Sequence, residues 1–448
     1  MRVALLAPFA DFDPAYSLAH VVCQQAELLR RGGHDVELWT HAGASRDNGL
    51  LQRLHADVRV VKAIPHGEWK YGKLTANAAR TAEALMSAFF ASNPNVVVAH
   101  DVCFQAWYTD VGFAVHQLQA RTTSAKWFHW LHSSPSTTVV DHDSAWRTRI
   151  PDGHFIIVPS PALLDVAAQR YNVASDRVFT VPNAHDSRWI SPCSPAVDAA
   201  ITQHRLMERD AVQVYPLCLT RMHEKGVDDV LGTFSALKRL GQSVLLIVAG
   251  ANGSAEGTAE KVDALRKRHP DLTPADLIFT HEWPEWENGV PHTDVMQLMA
   301  RSNVFVFPSR AEACPLVLLE ALQHNCTIVV NADVPSQVDM APHAIRHSFG
   351  GIDLRPRAVE VDAVKCMDRP GGDAPKNYAA LAEQIAAAVA GDQRRVTARR
   401  YGYEAVRQRL HQVITAAQSR DGATTIKHDA RANAAMRISV AKTLLMYG

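Results

Sequence analysis

Short apolar runs alternate with amphipathic stretches almost from one end of the chain to the other, and this alternation restricts the fold more than any other feature. Residues 3–6, 35–39, 58–61, 96–99, 127–131, 155–158 and 178–181 form runs of four or five, rich in β-branched or aromatic side chains. Their length and composition predict buried strands. Between them lie helical patterns. In 18–31, for example, Leu18, Val21, Val22, Leu28 and Leu29 share one face before Gly32-Gly33 ends the helix. Strands that are apolar on both faces, each followed by a helix, predict a parallel sheet covered by helices.

The pattern stops at Ser191-Pro-Cys-Ser-Pro, and a polar stretch runs to Asp210. It then restarts, with strands expected at 212–219, 244–249, 277–280, 304–307 and 327–330. Helices are expected at 227–240, 260–268, 295–300 and from Pro315. The expected fold is therefore α/β, with two Rossmann-like parallel-sheet domains facing across a cleft and a helical C-terminal tail. The first domain spans 1–190, the linker 191–210, the second domain 211–392, and basic helices crossing back to the first domain 393–448. Ligands of such sheets bind outside the carboxyl ends of the strands, which makes the cleft the expected site. The stretch 333–376 shows no firm periodicity. An Ala-rich helix is expected at 378–389, another helix at 400–417, and helical structure at 430–445.

Composition narrows the class further. Apolar residues make up 47% and charged residues 21%, and 46 basic residues balance 46 acidic ones, which excludes disordered and generically basic chains. Seven scattered cysteines contain no Cys-x-x-Cys pair, so they suit a reducing cytoplasm better than a disulfide framework or zinc site. The opening apolar run is too short for a signal peptide, and the run at 244–249 is far short of the ~20 residues that cross a bilayer. A soluble cytoplasmic protein is expected. From Gln393 onward, 11 basic residues face three acids, a surplus of eight positive charges on an equally acidic body. Such a tail suits docking onto phosphate or a membrane surface, or packing as a solvated helix face against the acidic body.

Two segments place reactive side chains at the ends of second-half strands. In Pro308-Ser-Arg-Ala-Glu-Ala-Cys-Pro-Leu-Val-Leu-Leu-Glu-Ala-Leu, a buried strand ends in a short turn holding Glu312. Pro315 stands where a helix would begin, its fixed φ suited to the first helical position. Glu312 reaches from the loop, helix-start amides at Leu316 and Val317 can hold phosphate, and Glu320 can accept two hydroxyls of a diol. A capped amphipathic helix with exposed glutamates is the structural alternative. In Leu219-Thr-Arg-Met-His-Glu-Lys-Gly-Val-Asp, Arg221 follows a strand and Lys225-Gly226 opens a helix. A guanidinium and an ammonium beside a helix start form a diphosphate clamp, or else a pair of surface loop charges. Neither segment is a Gly-x4-Gly-Lys-Ser/Thr loop, and no Gly-x-Gly-x-x-Gly follows the first strand. ATP hydrolysis and nicotinamide chemistry therefore lack their usual signatures.

Taken in order, these motifs resemble retaining nucleotide-sugar glycosyltransferases of the GT-B fold, in the family 4-like, glycogen-synthase-like group. The resemblance runs over roughly residues 1–331. Pro159-Ser160 looks like the family's Ser-Glu turn, and Val181-Pro-Asn-Ala-His-Asp186 like its Ile-Pro-Asn-Gly-Val-Asp. Arg221 with Lys225-Gly226 looks like its Gly-Arg-Leu…Lys-Gly, and Glu312…Glu320 like its Glu-x7-Glu. The resemblance implies that Arg221 and Lys225 hold the donor diphosphate, Glu312 touches the transferred sugar, Glu320 the ribose, and backbone at Leu316 and Val317 the phosphates. His132, ending the fifth strand, looks like the family's active-site histidine that contacts the sugar. The chain departs from the family in having no glycine in the loop after the first strand, in Ala184 for the usual glycine, in His281-Glu-Trp where a glycine is usual, and in Asn325 for a cap glycine.

Further first-half candidates follow from placement. His100 and Asp101 end a strand and could line the acceptor side of the cleft. Trp69, Lys70 and Tyr71 sit in a loop that suits stacking on a sugar or base beside phosphate, or that is simply surface. The expected reaction is retaining sugar transfer from a nucleotide-diphosphate sugar, UDP among the candidate nucleotides, to an acceptor hydroxyl. It is expected to need no cofactor and no metal, because Arg221 and Lys225 neutralise the leaving group. The acceptor is open: DNA, an anionic lipid, a glycan or a small molecule. Alternatives are a DNA-modifying, phage-type transferase acting on a hydroxylated base, a nucleotide-sugar epimerase, and a degenerate binding module on the same fold.

Overall fold

Alternate residues of one short strand already reveal the layering of the first half. Val3 and Leu5 enter one apolar cluster while Ala4 and Leu6 enter another on the opposite face, and Val96, Val98 against Val97, Ala99 repeat the division. A sheet buried on both faces requires this pattern. The computed structural model describes residues 1–13, 16–47, 49–67, 70, 73–102, 108–119, 121–122, 124–132, 150–184, 194–251, 257–287, 289–324, 326–351, 377–391 and 403–418.

The first half runs β1 (Arg2–Leu6), α1 (Ser17–Arg31), β2 (Asp35–His41), β3 (Arg59–Ile64), α2 (Asn77–Ser92), β4 (Val96–His100), α3 (Thr109–Gln119), β5 (Lys126–Trp130), β6 (Phe155–Val158), α4 (Leu164–Arg170) and β7 (Val178–Thr180). The strands form one sheet in the order β3-β2-β1-β4-β5-β6-β7, with every pair parallel. The order reverses between β1 and β4, so the crevice of this sheet opens at the carboxyl ends of those two strands.

The second half contains α5 (Pro195–Gln203), β8 (Ala211–Cys218), α6 (Val227–Arg239), β9 (Val244–Ala251), α7 (Thr258–Arg268), β10 (Leu277–Phe279), α8 (His292–Met299), β11 (Val304–Phe307), α9 (Leu316–Gln323), β12 (Thr327–Asn331), α10 (Pro335–Met340), β13 (Ile345–His347) and α11 (Tyr378–Ala390). Its strands form two three-stranded sheets, β10-β9-β8 and β11-β12-β13. Side chains stitch these together along β8 and β11. The Gln213 amide donates to the Val306 carbonyl at 3.0 Å and accepts from the Val306 N–H at 2.9 Å, and Ser302 and Asn303 accept from Val214 and Val212. One apolar core serves both sheets.

Two stretches read as irregular are built into this core. The expected linker 191–210 contains α5, capped by Ser194, with Val197 and Ala200 buried in the second-half core. The stretch 333–376 supplies α10 and β13 before passing outside the described residues at 352. At the C-terminal end, α12 (Tyr403–Gln418) lays Val406, Leu410, Val413, Ile414 and Ala417 into the first-half core beside α1, one stripe of a helix surface. Arg409 Nε donates to the Thr180 carbonyl at 3.0 Å, and the His34 and His411 rings meet at 3.1 Å. The helix expected at 430–445 lies outside the described residues. Among the described residues, no helix is long and apolar enough to cross a membrane.

Candidate active site

The loops after β8 and β11 approach each other because one residue between them has no side chain. Gly226 has φ +68°, and a Cβ there would stand 2.8 Å from Pro308 Cγ and 3.0 Å from the Pro308 carbonyl oxygen. Glycine thus answers both the left-handed backbone and the close approach. The contact brings Lys225 against Glu312, where the ammonium and carboxylate form an ion pair with the two side chains 20% and 11% exposed. Ser309 Oγ donates to the same Glu312 oxygen at 2.7 Å.

Three further elements hold these loops in place. Tyr215, buried in β8, donates its hydroxyl to the Lys225 carbonyl at 2.6 Å, and burial keeps that phenol well above its ordinary pKa. From α10, Ser336 Oγ donates to the Glu312 carbonyl at 2.6 Å, and Gln337 Nε2 donates to the Ser309 carbonyl at 2.7 Å. Beneath the loops, the buried Arg310 guanidinium donates to Asp229 of α6 at 3.3 Å and to the His223 carbonyl at 2.9 Å. Tyr378 of α11 donates to the other Asp229 oxygen at 2.6 Å. A buried charge pair is tolerable only with such supplementary hydrogen bonds. Arg221 sits higher and half exposed, paired with Glu224.

Helix α9 starts directly after Pro315, so the N–H groups of Leu316 and Val317 fall in the first turn, where no intrahelical carbonyl can accept them. Glu320 lies in the second turn, buried, and accepts from His292 Nε2 at 2.7 Å. Burial pulls the His292 pKa down, but the hydrogen bond and charge of Glu320 outweigh it, and the net direction is upward.

The first-half edge faces this cluster. Asn183, just past β7, donates Nδ2 to the Cys314 carbonyl at 3.0 Å. The rings of His20 in α1 and His292 in α8 lie 4.7 Å apart, and Ala313 packs into a first-half cluster. The two edges are therefore in contact beside Glu312. His132 stands half-buried after β5, its Nε2 2.9 Å from His100 Nδ1, and its backbone N–H donates to Asp101 at 2.8 Å. Burial lowers both histidines, His100 to about 3 and His132 well below its ordinary value, and Asn183 partly opposes this at His132. Both rings are neutral near pH 7. The Nδ1–Nε2 contact between the two rings holds a single proton.

The structure thus brings Arg221, Lys225, Glu312, Glu320, Leu316, Val317 and His132 to one cleft. It corrects the placement of His100 and Asp101. Both are buried, His100 completely, under the rings of Trp130 and His132, so they lie beneath the cleft wall and brace His132 instead of lining the acceptor side. Lys70 is exposed, and its carbonyl accepts from the Lys73 N–H. Trp69, Tyr71, His185, Asp186 and Asn325 lie outside the described residues. Asp11 and Asp13 flank the buried Phe12 after β1, an Asp-x-Asp spacing. Among the described residues, no group of three or more His, Cys, Asp or Glu is arranged to hold a metal ion.

Compared with known proteins, residues 217–350 match the family described as Glycosyl transferases group 1. The chain carries a group 1 glycosyl transferase domain. That makes it an enzyme of the transferase class, and every second-half residue discussed so far from Arg221 to Gln337 falls inside the matched span. No curated protein matches the chain in sequence. Solved structures share its fold over nearly the whole length. A glycosyltransferase from Rickettsia africae is 11% identical with a TM-score of 0.61, over 94% of this chain and 99% of that one. Sucrose-phosphate synthase from Thermosynechococcus elongatus is 16% identical at 0.59, over 100% of both chains. Anabaena Alr3699/HepE in complex with UDP is 13% identical at 0.59, over 93% of this chain and 100% of that one. The fold is GT-B.

The transferase domain also contains site residues that the motifs do not reveal. Arg310 and Asp229 are 81 positions apart, and His292 and Glu320 are 28 apart, so spacing carries no sign of either pair. Ser336 and Gln337 stand at the start of a six-residue helix, too short for a periodicity, although Pro335 at its first position is a usable start signal.

Proposed function

We propose that the protein transfers a sugar from a nucleotide-diphosphate sugar to an acceptor hydroxyl, with retention at the anomeric carbon and without a divalent metal. One observation carries the reading: Arg221 and Lys225 stand at the carboxyl edge of β8, with Glu312 on Lys225 and the start of α9 alongside. The diphosphate lies across Arg221, Lys225 and the α9 amides, exchanging places with Glu224 and Glu312 as partners of the cations. Departure of the nucleoside diphosphate builds negative charge, and fixed cations stabilise that charge more in the transition state than in the ground state. They supply the neutralisation that a divalent metal supplies in other transferases. Glu312, released from Lys225, grips the sugar; Glu320, held by His292, accepts from the ribose hydroxyls.

His132 contacts the sugar from the first half, its ring fixed by His100 and its loop by Asp101. Retention follows from the leaving phosphate taking the acceptor proton on the face it departs from. Anabaena Alr3699/HepE has been solved with UDP and with UDP-glucose, which supports a UDP-sugar as donor. The seven scattered cysteines, with no Cys-x-x-Cys pair, support a cytoplasmic setting.

The test is a screen of UDP-, GDP- and ADP-sugars for nucleotide release without acceptor, with the recovered sugar checked for epimerisation. Slow hydrolysis of at least one donor is expected. Interconversion of the free nucleotide sugar would make the protein an epimerase, and absence of nucleotide-sugar binding would make it a binding module.

A further inference from the structure

At the carboxyl ends of β1, β2 and β3, on the first-half side of the cleft, a cavity of about 660 Å³ opens beneath the loop that follows β1. Its size is in the range of pockets that hold a drug-sized molecule, roughly 300–1,000 Å³. The wall is largely aromatic. Phe9 is nearly buried, its ring edge-on to the buried Phe12 at 5.4 Å and to Tyr16 at 5.2 Å. Tyr16 and Tyr108 share a hydroxyl hydrogen bond, and His41 meets His66 edge-on at 4.9 Å. Burial and the neighbouring His66 lower the His41 pKa, so that ring is neutral near pH 7. Among the described lining residues there is no Lys or Arg, and the one charged side chain is Asp11.

This lining selects by chemistry. An anionic headgroup or phosphate would meet Asp11 and aromatic faces in place of cations. A carbohydrate would find few of the amides and carboxylates that satisfy its hydroxyls. An uncharged aromatic body gains ring stacking and edge contacts with Phe9, Tyr16 and Tyr108. Tyr16 also points the way to the donor, because its hydroxyl lies within electrostatic reach of Arg221 in the second half and of Asp101 behind.

We propose that this cavity binds the acceptor, and that the acceptor is an uncharged, hydroxyl-bearing aromatic compound seated on Phe9, Tyr16 and Tyr108 with its hydroxyl directed toward Arg221. The acceptor oxygen forms the new bond to the anomeric carbon as the bond from that carbon to the β-phosphate oxygen breaks. The acceptor proton leaves with the nucleoside diphosphate, so no further reactant is needed. The inference rests on the transferase reading above, and its test separates the two.

The full-length protein is titrated calorimetrically with 2-naphthalenemethanol, with a neutral disaccharide and with a sugar phosphate. The same compounds are then offered with the donor found in the screen, and nucleotide release and product mass are recorded. The aromatic alcohol is expected to bind and to raise nucleotide release at least tenfold over the acceptor-free rate, yielding a glycosylated product, while the other two do neither. Phe9→Ala is expected to raise the acceptor KM about tenfold. Tyr16→Ala, at a residue 41% exposed, is expected to raise it several-fold, with recovery in Tyr16→Phe. Binding of the aromatic alcohol with no nucleotide released from any donor would uphold the cavity assignment and sink the transferase reading. Donor hydrolysis stimulated only by the disaccharide or the sugar phosphate, or an acceptor KM unmoved by both alanine variants, would overturn the aromatic acceptor.

Discussion

The two carboxyl edges that meet at Asn183 and Cys314 are built on opposite principles. The second-half edge is charged and cross-braced: Arg221, Lys225 and Glu312 are paired, and their loops are tied down by Tyr215, Arg310, Ser336 and Gln337. The first-half edge is aromatic and carries no cation among the described lining residues of its cavity, which is walled by Phe9 and two tyrosines with a pair of neutral histidines behind it. Even the histidines divide this way, since His292 is held toward its charged form by Glu320 while burial holds His100 and His132 neutral. The family match covers only the charged edge. On the transferase reading proposed above, the leaving diphosphate is the same whatever is glycosylated, so its site keeps a recognisable pattern, whereas acceptors differ from enzyme to enzyme and the cavity after β1 matches none of the first-half motifs.

If bracing distinguishes the charged edge, removing its buried brace should cost most. Asp229→Ala strands the Arg310 guanidinium and is expected to lower unfolding stability by about 3–5 kcal/mol, read from urea denaturation. A loss under ~1 kcal/mol would mean that the loops hold themselves. Next in size is Glu312→Ala. Turnover is expected to fall about 10²–10³-fold, as for other preorganised transition-state contacts. Affinity for the product nucleotide should hold or tighten, because Lys225 loses a competitor. Survival of turnover would remove Glu312 from the sugar.

Arg221→Ala is expected to weaken nucleoside diphosphate binding by roughly 10- to 100-fold in calorimetry, the worth of a charge-assisted hydrogen bond of ~1.5–3 kcal/mol. Unchanged affinity would count against the clamp.

The smallest effects sharpen the histidine contrast through pH. The raised pKa of His292 means its contribution is fully present below the unfolded value near ~6.5 and is lost as pH rises through the higher folded value. The stability gap between the wild type and His292→Gln should therefore shrink from pH 6 to pH 9. For His100 the sign reverses, since the unfolded ring binds a proton that the buried ring refuses. Stability falls as pH drops below ~6.5, and His100→Phe should make that fall shallower between pH 7 and pH 5. Parallel pH profiles in either comparison would undo the assignment of charge states.

Strands apolar on both faces were legible because burial leaves no other composition for them, and Lys225-Gly226 was legible because only glycine admits the approach to Pro308. Helix α5 was readable in principle from Ser194-Pro195 and an acid in its first turn, but its polar exposed face masked the pattern. The His100–His132 contact, the Arg310–Asp229 pair and the aromatic cavity join loops far apart in sequence. No local period encodes such contacts; they appear only when the strand order does.

A crystal structure with the preferred nucleotide sugar bound tests the central claim most directly. The account predicts the diphosphate between Arg221, Lys225 and the Leu316–Val317 amides, with Glu312 turned from Lys225 to the sugar. A diphosphate bound elsewhere, with Lys225 still paired to Glu312, would contradict it.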